Sequence, residues 1–169
     1  FGLSFLANAQ DVQKDQPKGY QFTDIKRLPA TSVKDQARAG TCWSWSGISF
    51  FESEMIRMGK EPIDLSAMYI VRHAYSDKAT KFVRLHGSMN FAVGGAFCDV
   101  MHVIKNYGIV PMDVYMGLNY GEPNHAFGEI DDVLAGYINA VIKNSNKKLS
   151  TAWKKGFDGI LDAYLGEEP

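Results

Sequence analysis

The run Asp35-Gln36-Ala37-Arg38-Ala39-Gly40-Thr41-Cys42-Trp43-Ser44 constrains this chain more than any other stretch, because it feeds a polar, glycine-terminated loop into a helix. Trp43, Gly47, Phe50, Phe51 and Ile56 offer an apolar surface over about Thr41 to Met58, with Thr41 as a candidate cap and Gly59 as the stop. Cys42 then falls in the first helical turn. Unpaired N–H groups and partial positive charge at a helix N-terminus favour a thiolate. The same N–H groups, with the Gln36 side-chain amide, are suited to bind the oxyanion that forms in acyl transfer. The pattern points to a thiol hydrolase; the bland alternative is a buried structural cysteine.

The rest of the chain reads as mainly helical. Residues 20–29 are mixed and extended, and Thr31–Gly40 is a polar loop. Asp64-Leu65-Ser66 starts a second helix that runs to about Phe82, and a glycine-containing loop covers His86 to Gly95. A third helix spans about Ala96 to Asn106, stopped by Tyr107-Gly108 ahead of the extended Ile109-Val110-Pro111. Residues 117–125 are rich in Gly, Asn and Pro and read as loop. Ile130, Val133, Leu134, Tyr137, Ile138, Val141 and Ile142 recur at three and four residues and predict a fourth helix. A fifth, capped by Ser150, carries Trp153, Phe157, Ile160, Leu161, Tyr164 and Leu165. No internal repeat or low-complexity segment interrupts this order.

Several function classes drop out on composition. With 18 Lys+Arg against 19 Asp+Glu and no basic stripe, nucleic acid is not an expected partner. No apolar stretch approaches the ~20 residues of a membrane span. The two cysteines permit one bridge or two free thiols. Cys98 is expected to be packed, not reactive, and a Cys42–Cys98 bridge would silence the nucleophile. His73 and His102 are expected at helix surfaces, Asp99, Asp131 and Asp132 as capping or solvated charges. No metal-binding spacing of His and Cys occurs, and no cofactor is expected.

The first nine residues resemble the end of an export signal: Phe1–Leu6 is apolar and Ala7-Asn8-Ala9 fits an A-x-A cleavage site. That reading implies a periplasmic or secreted protein; the alternative is an amphipathic arm packed on the domain. The organisation read from sequence is therefore a signal remnant at 1–9, an N-terminal extended segment at 10–30, a helical unit with the nucleophile at 31–118, and a helical insertion at 119–169.

Three landmarks carry a family resemblance. Val33-Lys34-Asp35-Gln36 followed by Gly40-Thr41-Cys42-Trp43-Ser44 resembles the active-site segment of papain-like cysteine peptidases. Asp64-Leu65-Ser66-Ala67-Met68-Tyr69 resembles the start of their next helix, and Gly94-Gly95 with Tyr107-Gly108-Ile109-Val110-Pro111 their third landmark. Ala39 and Ala92 stand where papain itself has a bridged cysteine pair. The bleomycin hydrolase and aminopeptidase C branch, which is bacterial among other sources, also lacks that bridge and carries extra helices. The resemblance implies an α+β papain-like fold, of which this chain is mainly the helical left half with insertion helices and without the β-rich half.

Carried over residue by residue, the resemblance makes Cys42 the nucleophile and Gln36 the side-chain oxyanion donor. It lays Gly94 and Gly95 along a peptide-binding cleft, with Trp43 packing behind the nucleophile and shielding the site. The nucleophile also needs a histidine base and an Asn or Asp to orient it. The family places these ~130–150 residues beyond the cysteine, whereas 127 residues follow Cys42. None of His73, His86, His102 and His125 has the family's histidine context. A second chain or C-terminal segment carrying His and Asn is therefore an implied partner, beside the peptide substrate, and the branch adds homo-oligomers. Two functions stay open: a cysteine peptidase of aminopeptidase or oligopeptidase type, working through a thioester on Cys42, and a non-catalytic peptide-binding or regulatory fragment.

Overall fold

The structure is a computed structural model that describes residues 19–169. The expected signal remnant at 1–9 and most of the polar stretch after it lie outside the described residues. Five α-helices follow in order: α1 Cys42–Arg57, α2 Ala67–Arg84, α3 Phe97–Tyr107, α4 Gly128–Ile142 and α5 Ala152–Leu165. Among the described residues, extended pairing is limited to two isolated bridges, Arg38 with Ala126 and Leu65 with Pro111. This is the helical half expected from the sequence.

Local chemistry explains most of the helix ends. Ser66 caps α2 by accepting from Tyr69 N–H at 3.0 Å, so the Asp64-Leu65-Ser66 start is read correctly to within a residue. Asp99 serves α3 as a cap, its carboxylate accepting from Ala96 N–H at 2.8 Å. Gly59 adopts φ +77 just past α1 and its N–H bonds Ile56 C=O, a glycine C-terminus. Thr41 departs from expectation: its side chain caps nothing, because its hydroxyl instead accepts from Trp45 Nε1–H at 3.1 Å. At α5 the cap residue is Thr151, while Ser150 Oγ accepts from Ala152 N–H at 3.3 Å.

α2 is the central helix, buried on nearly every side of its first half from Ala67 to Tyr75. α1 and α3 pack on it and on each other; α4 and α5 do the same from another side, without contacting α1 or α3. Ile48, Val100 and Val103 fill the first interface, and Ile130, Leu134, Ile138, Phe157, Leu161 and Leu165 the second. Each such side chain contributes about 1.5–3 kcal/mol by leaving water. Gly47 lets α1 and α3 approach closely, since a Cβ there would lie 2.8 Å from Val100 Cγ2.

Four surface assignments change. Cys98 is exposed, not packed, because the face of α3 that seats in the core carries Val100 and Val103. His73 is buried, not at a helix surface: it stacks on Tyr107 at 4.2 Å and meets Tyr69 edge-on at 4.4 Å. Phe50 belongs to the expected apolar surface of α1 yet is exposed, as is Val133 of α4.

Candidate active site

The loop before α1 is held in an uncommon conformation by its own hydrogen bonds. Asp35 Oδ1 accepts from Ala37 N–H at 2.8 Å, and Ala37 sits at φ +52, a conformation non-glycine residues rarely take. Arg38 is then pinned on both sides, its N–H donating to His125 C=O at 2.9 Å and its C=O accepting from Phe127 N–H at 3.2 Å. Gly40 turns at φ +63, and the chain enters α1 at Cys42. Strain of this kind costs about 1–3 kcal/mol and persists where the surroundings over-determine it.

The result brings Gln36 and Cys42 to one cavity. Cys42 is a free, exposed cysteine in the first turn of α1. With Gln36, Lys34, Thr31, Trp45, Ser46 and others it lines a space of ≈ 540 Å³. Gln36 is half-buried, and its amide oxygen Oε1 is buried without a hydrogen-bond partner. That leaves the amide NH2 as the end able to meet a ligand oxygen.

A buried carboxylate ties this segment to the helix that bears Cys42. Glu52 lies ten residues after Cys42 on α1 and its side chain is 0% exposed. One carboxylate oxygen accepts from Leu65 N–H at 2.8 Å. The other accepts from the Thr31 hydroxyl at 2.5 Å and pairs with Lys34 Nζ at 2.6 Å. Lys34 also pairs with Asp64 at 2.8 Å. Burial works against the Lys34 charge, but its bonds to Asp64 and Glu52 outweigh that and hold its pKa above the usual lysine value. Lys34 stands two residues before Gln36, so the same helix that presents the thiol also anchors the loop that presents the amide. The sequence reading missed this pair; a Glu directly after Phe50-Phe51 in the helix was the available signal.

Trp43 and the glycine pair form the other flank. Trp43 is buried and its Nε1–H donates to Val93 C=O at 3.0 Å. Gly95 lies against the indole so closely that a Cβ would fall 2.5 Å from Trp43 Cε2, whereas Gly94 faces open space. Lys78 of α2 completes the arrangement: its Nζ is 5.2 Å from the Trp43 ring centre and donates to Gly94 C=O at 2.5 Å. Sequence reasoning had no signal for Lys78, which is one of two lysines on α2.

No histidine lines the cavity that holds Cys42. His73, buried in the first half of α2, has Nε2 2.9 Å from a Glu168 carboxylate oxygen without hydrogen-bond geometry, and His102 contacts Asp77 at 3.1 Å on the surface. His125 packs 6.0 Å from the Trp45 ring, with Nδ1 buried and unpartnered. Burial pushes its pKa down, so it is neutral at neutral pH. Among the described residues no cluster of His, Cys, Asp and Glu could hold a metal ion.

A thiol at a helix N-terminus and an amide thus line one cavity, and a glycine pair lies beside the tryptophan that follows the thiol. No curated protein matches the chain. A family described as papain family cysteine protease matches residues 17–152, which include every one of these groups. The chain therefore belongs to the papain family of cysteine proteases.

Proposed function

We propose that this protein is an aminopeptidase or oligopeptidase of the bleomycin hydrolase-like branch, in which Cys42 attacks the peptide carbonyl. The observation that carries the reading is the shared cavity of Cys42 and Gln36 at the N-terminus of α1. The thiolate sulfur bonds to the carbonyl carbon, and the resulting oxyanion takes hydrogen bonds from the Gln36 amide and the Cys42 N–H. Collapse of the tetrahedral intermediate breaks the C–N bond and leaves a thioester on Cys42, which water then hydrolyses. The amine leaves with a proton from a histidine, which an asparagine orients.

In this reading the histidine and asparagine lie outside residues 1–169, on a later segment or a second chain that packs across the cavity. The apolar exposure of this flank supports such a partner: Tyr20, Phe22, Ile25, Leu28 and Val33 precede the site and Phe50 follows it, all open to solvent. Export from the cytoplasm, and assembly of several copies, belong to the same proposal. N-terminal sequencing of natively produced protein checks the first: a mature start near Gln10 is expected, and a start well upstream removes it.

The deciding experiment is reaction of the intact protein with a peptidyl epoxysuccinate, followed by mapping of the modified cysteine. Modification of Cys42 with Cys98 spared is expected, even though both thiols are exposed. Equal modification of the two, with no peptide hydrolysis, favours the non-catalytic fragment instead.

A further inference from the structure

Segment 93–95 is held by three successive contacts, two to the Trp43 indole and one to Lys78. Val93 C=O accepts from Trp43 Nε1–H, Gly94 C=O accepts from Lys78 Nζ, and Gly95 lies flat on the ring. The peptide joining Gly94 to Gly95 is trans, as are all peptides of the described residues. In a trans peptide the C=O and the following N–H point in opposite directions. Fixing Gly94 C=O toward Lys78 therefore aims Gly95 N–H away from α2. That N–H has no backbone or side-chain partner among the described residues, and Gly95 is exposed. An outward, unpaired N–H beside the nucleophile's neighbouring tryptophan is the donor an extended peptide needs from a strand-like edge.

We propose that Lys78 is a positioning residue for substrate binding: by holding Gly94 C=O against the Trp43 face it sets the Gly95 N–H that receives the peptide backbone. The proposal rests on the reading of Gly94-Gly95 as the substrate-facing edge. Lys78 suits the task because one ammonium meets two needs, donating to a carbonyl while it lies over an aromatic ring. Burial works against the Lys78 charge and lowers its pKa, and Lys81 adds to that, while Asp99, which caps α3, and Asp131 of α4 supply partly compensating negative charge. A neutral side chain of similar length keeps the packing on Trp43 and loses the carbonyl contact. Gly94-Gly95 would then be free to rotate, and its donor would be lost to water.

The test compares two alkylating reagents on Cys42 of the intact protein: a peptidyl epoxysuccinate, which needs the peptide edge, and iodoacetamide, which does not. Lys78→Met is expected to slow the peptidyl reagent about tenfold, the weight of one charge-assisted hydrogen bond, and to leave iodoacetamide within about twofold. Peptide hydrolysis should lose through KM with kcat retained, and Lys78→Arg should recover most of the loss. If Lys78→Met slows both reagents equally, or neither, the positioning role is overturned. A failure of the peptidyl reagent to prefer Cys42 over Cys98 in the unsubstituted protein overturns the site reading itself, and the Lys78 role with it.

Discussion

The two sides of α2 are held by different kinds of force. Toward α1 and the loop before it, the buried contacts are directional: Ser44 Oγ–H to Ala67 C=O at 2.8 Å, Glu52 with its three donors, and Trp43 to Val93 C=O. Toward α4 and α5 the centre is apolar, with Ile130, Leu134, Ile138, Phe157 and Leu161 all at 0% exposure. Polar contacts there run from α2 to half-buried carboxylates, the buried Arg72 with Asp162 at 2.5 Å and Ser76 with Asp158 at 2.9 Å. Apolar packing fixes distance between helices but tolerates small shifts, while hydrogen bonds fix orientation. The region that holds Cys42 and Gln36 in one cavity uses the second; the region that supports α2 from its other side relies on the first.

The sharpest way to break this contrast is a pair of substitutions with similar stability cost. Lys34→Met strands the buried Glu52 carboxylate, and Phe157→Ala opens a core cavity; each should cost about 3–5 kcal/mol in urea unfolding. Only Lys34→Met should also slow peptidyl labelling of Cys42, because only it releases the segment bearing Gln36. Equal slowing by both would show that the two sides are not separable. The Lys34 contribution holds below its unfolded pKa of 10.5 and is lost as pH rises through its higher folded value.

Next in size, Gln36→Ala should lower kcat by about 10²–10³ with little change in KM, measured on a peptide substrate. A change confined to KM would remove Gln36 from the oxyanion site. The glycine pair then separates packing from binding. Gly95→Ala forces a methyl into the Trp43 ring and should cost about 1–3 kcal/mol of stability. Gly94→Ala, which meets nothing, should leave thermal stability nearly unchanged.

The smallest expected effect is on pH dependence near the site. Burial holds the His125 pKa below 6.5, so the unfolded chain binds its proton more readily than the folded one. Its contribution is complete above pH 6.5 and is lost on acidification toward the folded value. His125→Gln should flatten the fall in melting temperature between pH 7 and pH 5 relative to the unsubstituted protein; an unchanged slope would dismiss His125 as its source.

Much of this was legible beforehand. The helix order follows from caps and apolar period, because Ser66, Gly59 and the stripe from Ile130 to Ile142 act within a few residues of one another. The thiol at a helix start, with an amide six residues upstream, is a local arrangement too, so the sequence marks Cys42 and Gln36 as candidates. What spacing could not give is contact between distant segments. Cys98 and His73 exchanged their expected environments because the burial of a helix face depends on which neighbour covers it.

The linear order of residues determined five helices, the position of the thiol and the candidate oxyanion amide, since each depends on neighbours one or two turns away. Only the tertiary structure decided that Glu52 grips Lys34 and Thr31, that Gly95 lies on Trp43, and that Lys78 turns the Gly94 peptide. The physical reason is range. Caps and helical period act over a few residues along the chain, whereas a buried charge or a pinned carbonyl finds its partner only after the helices have packed.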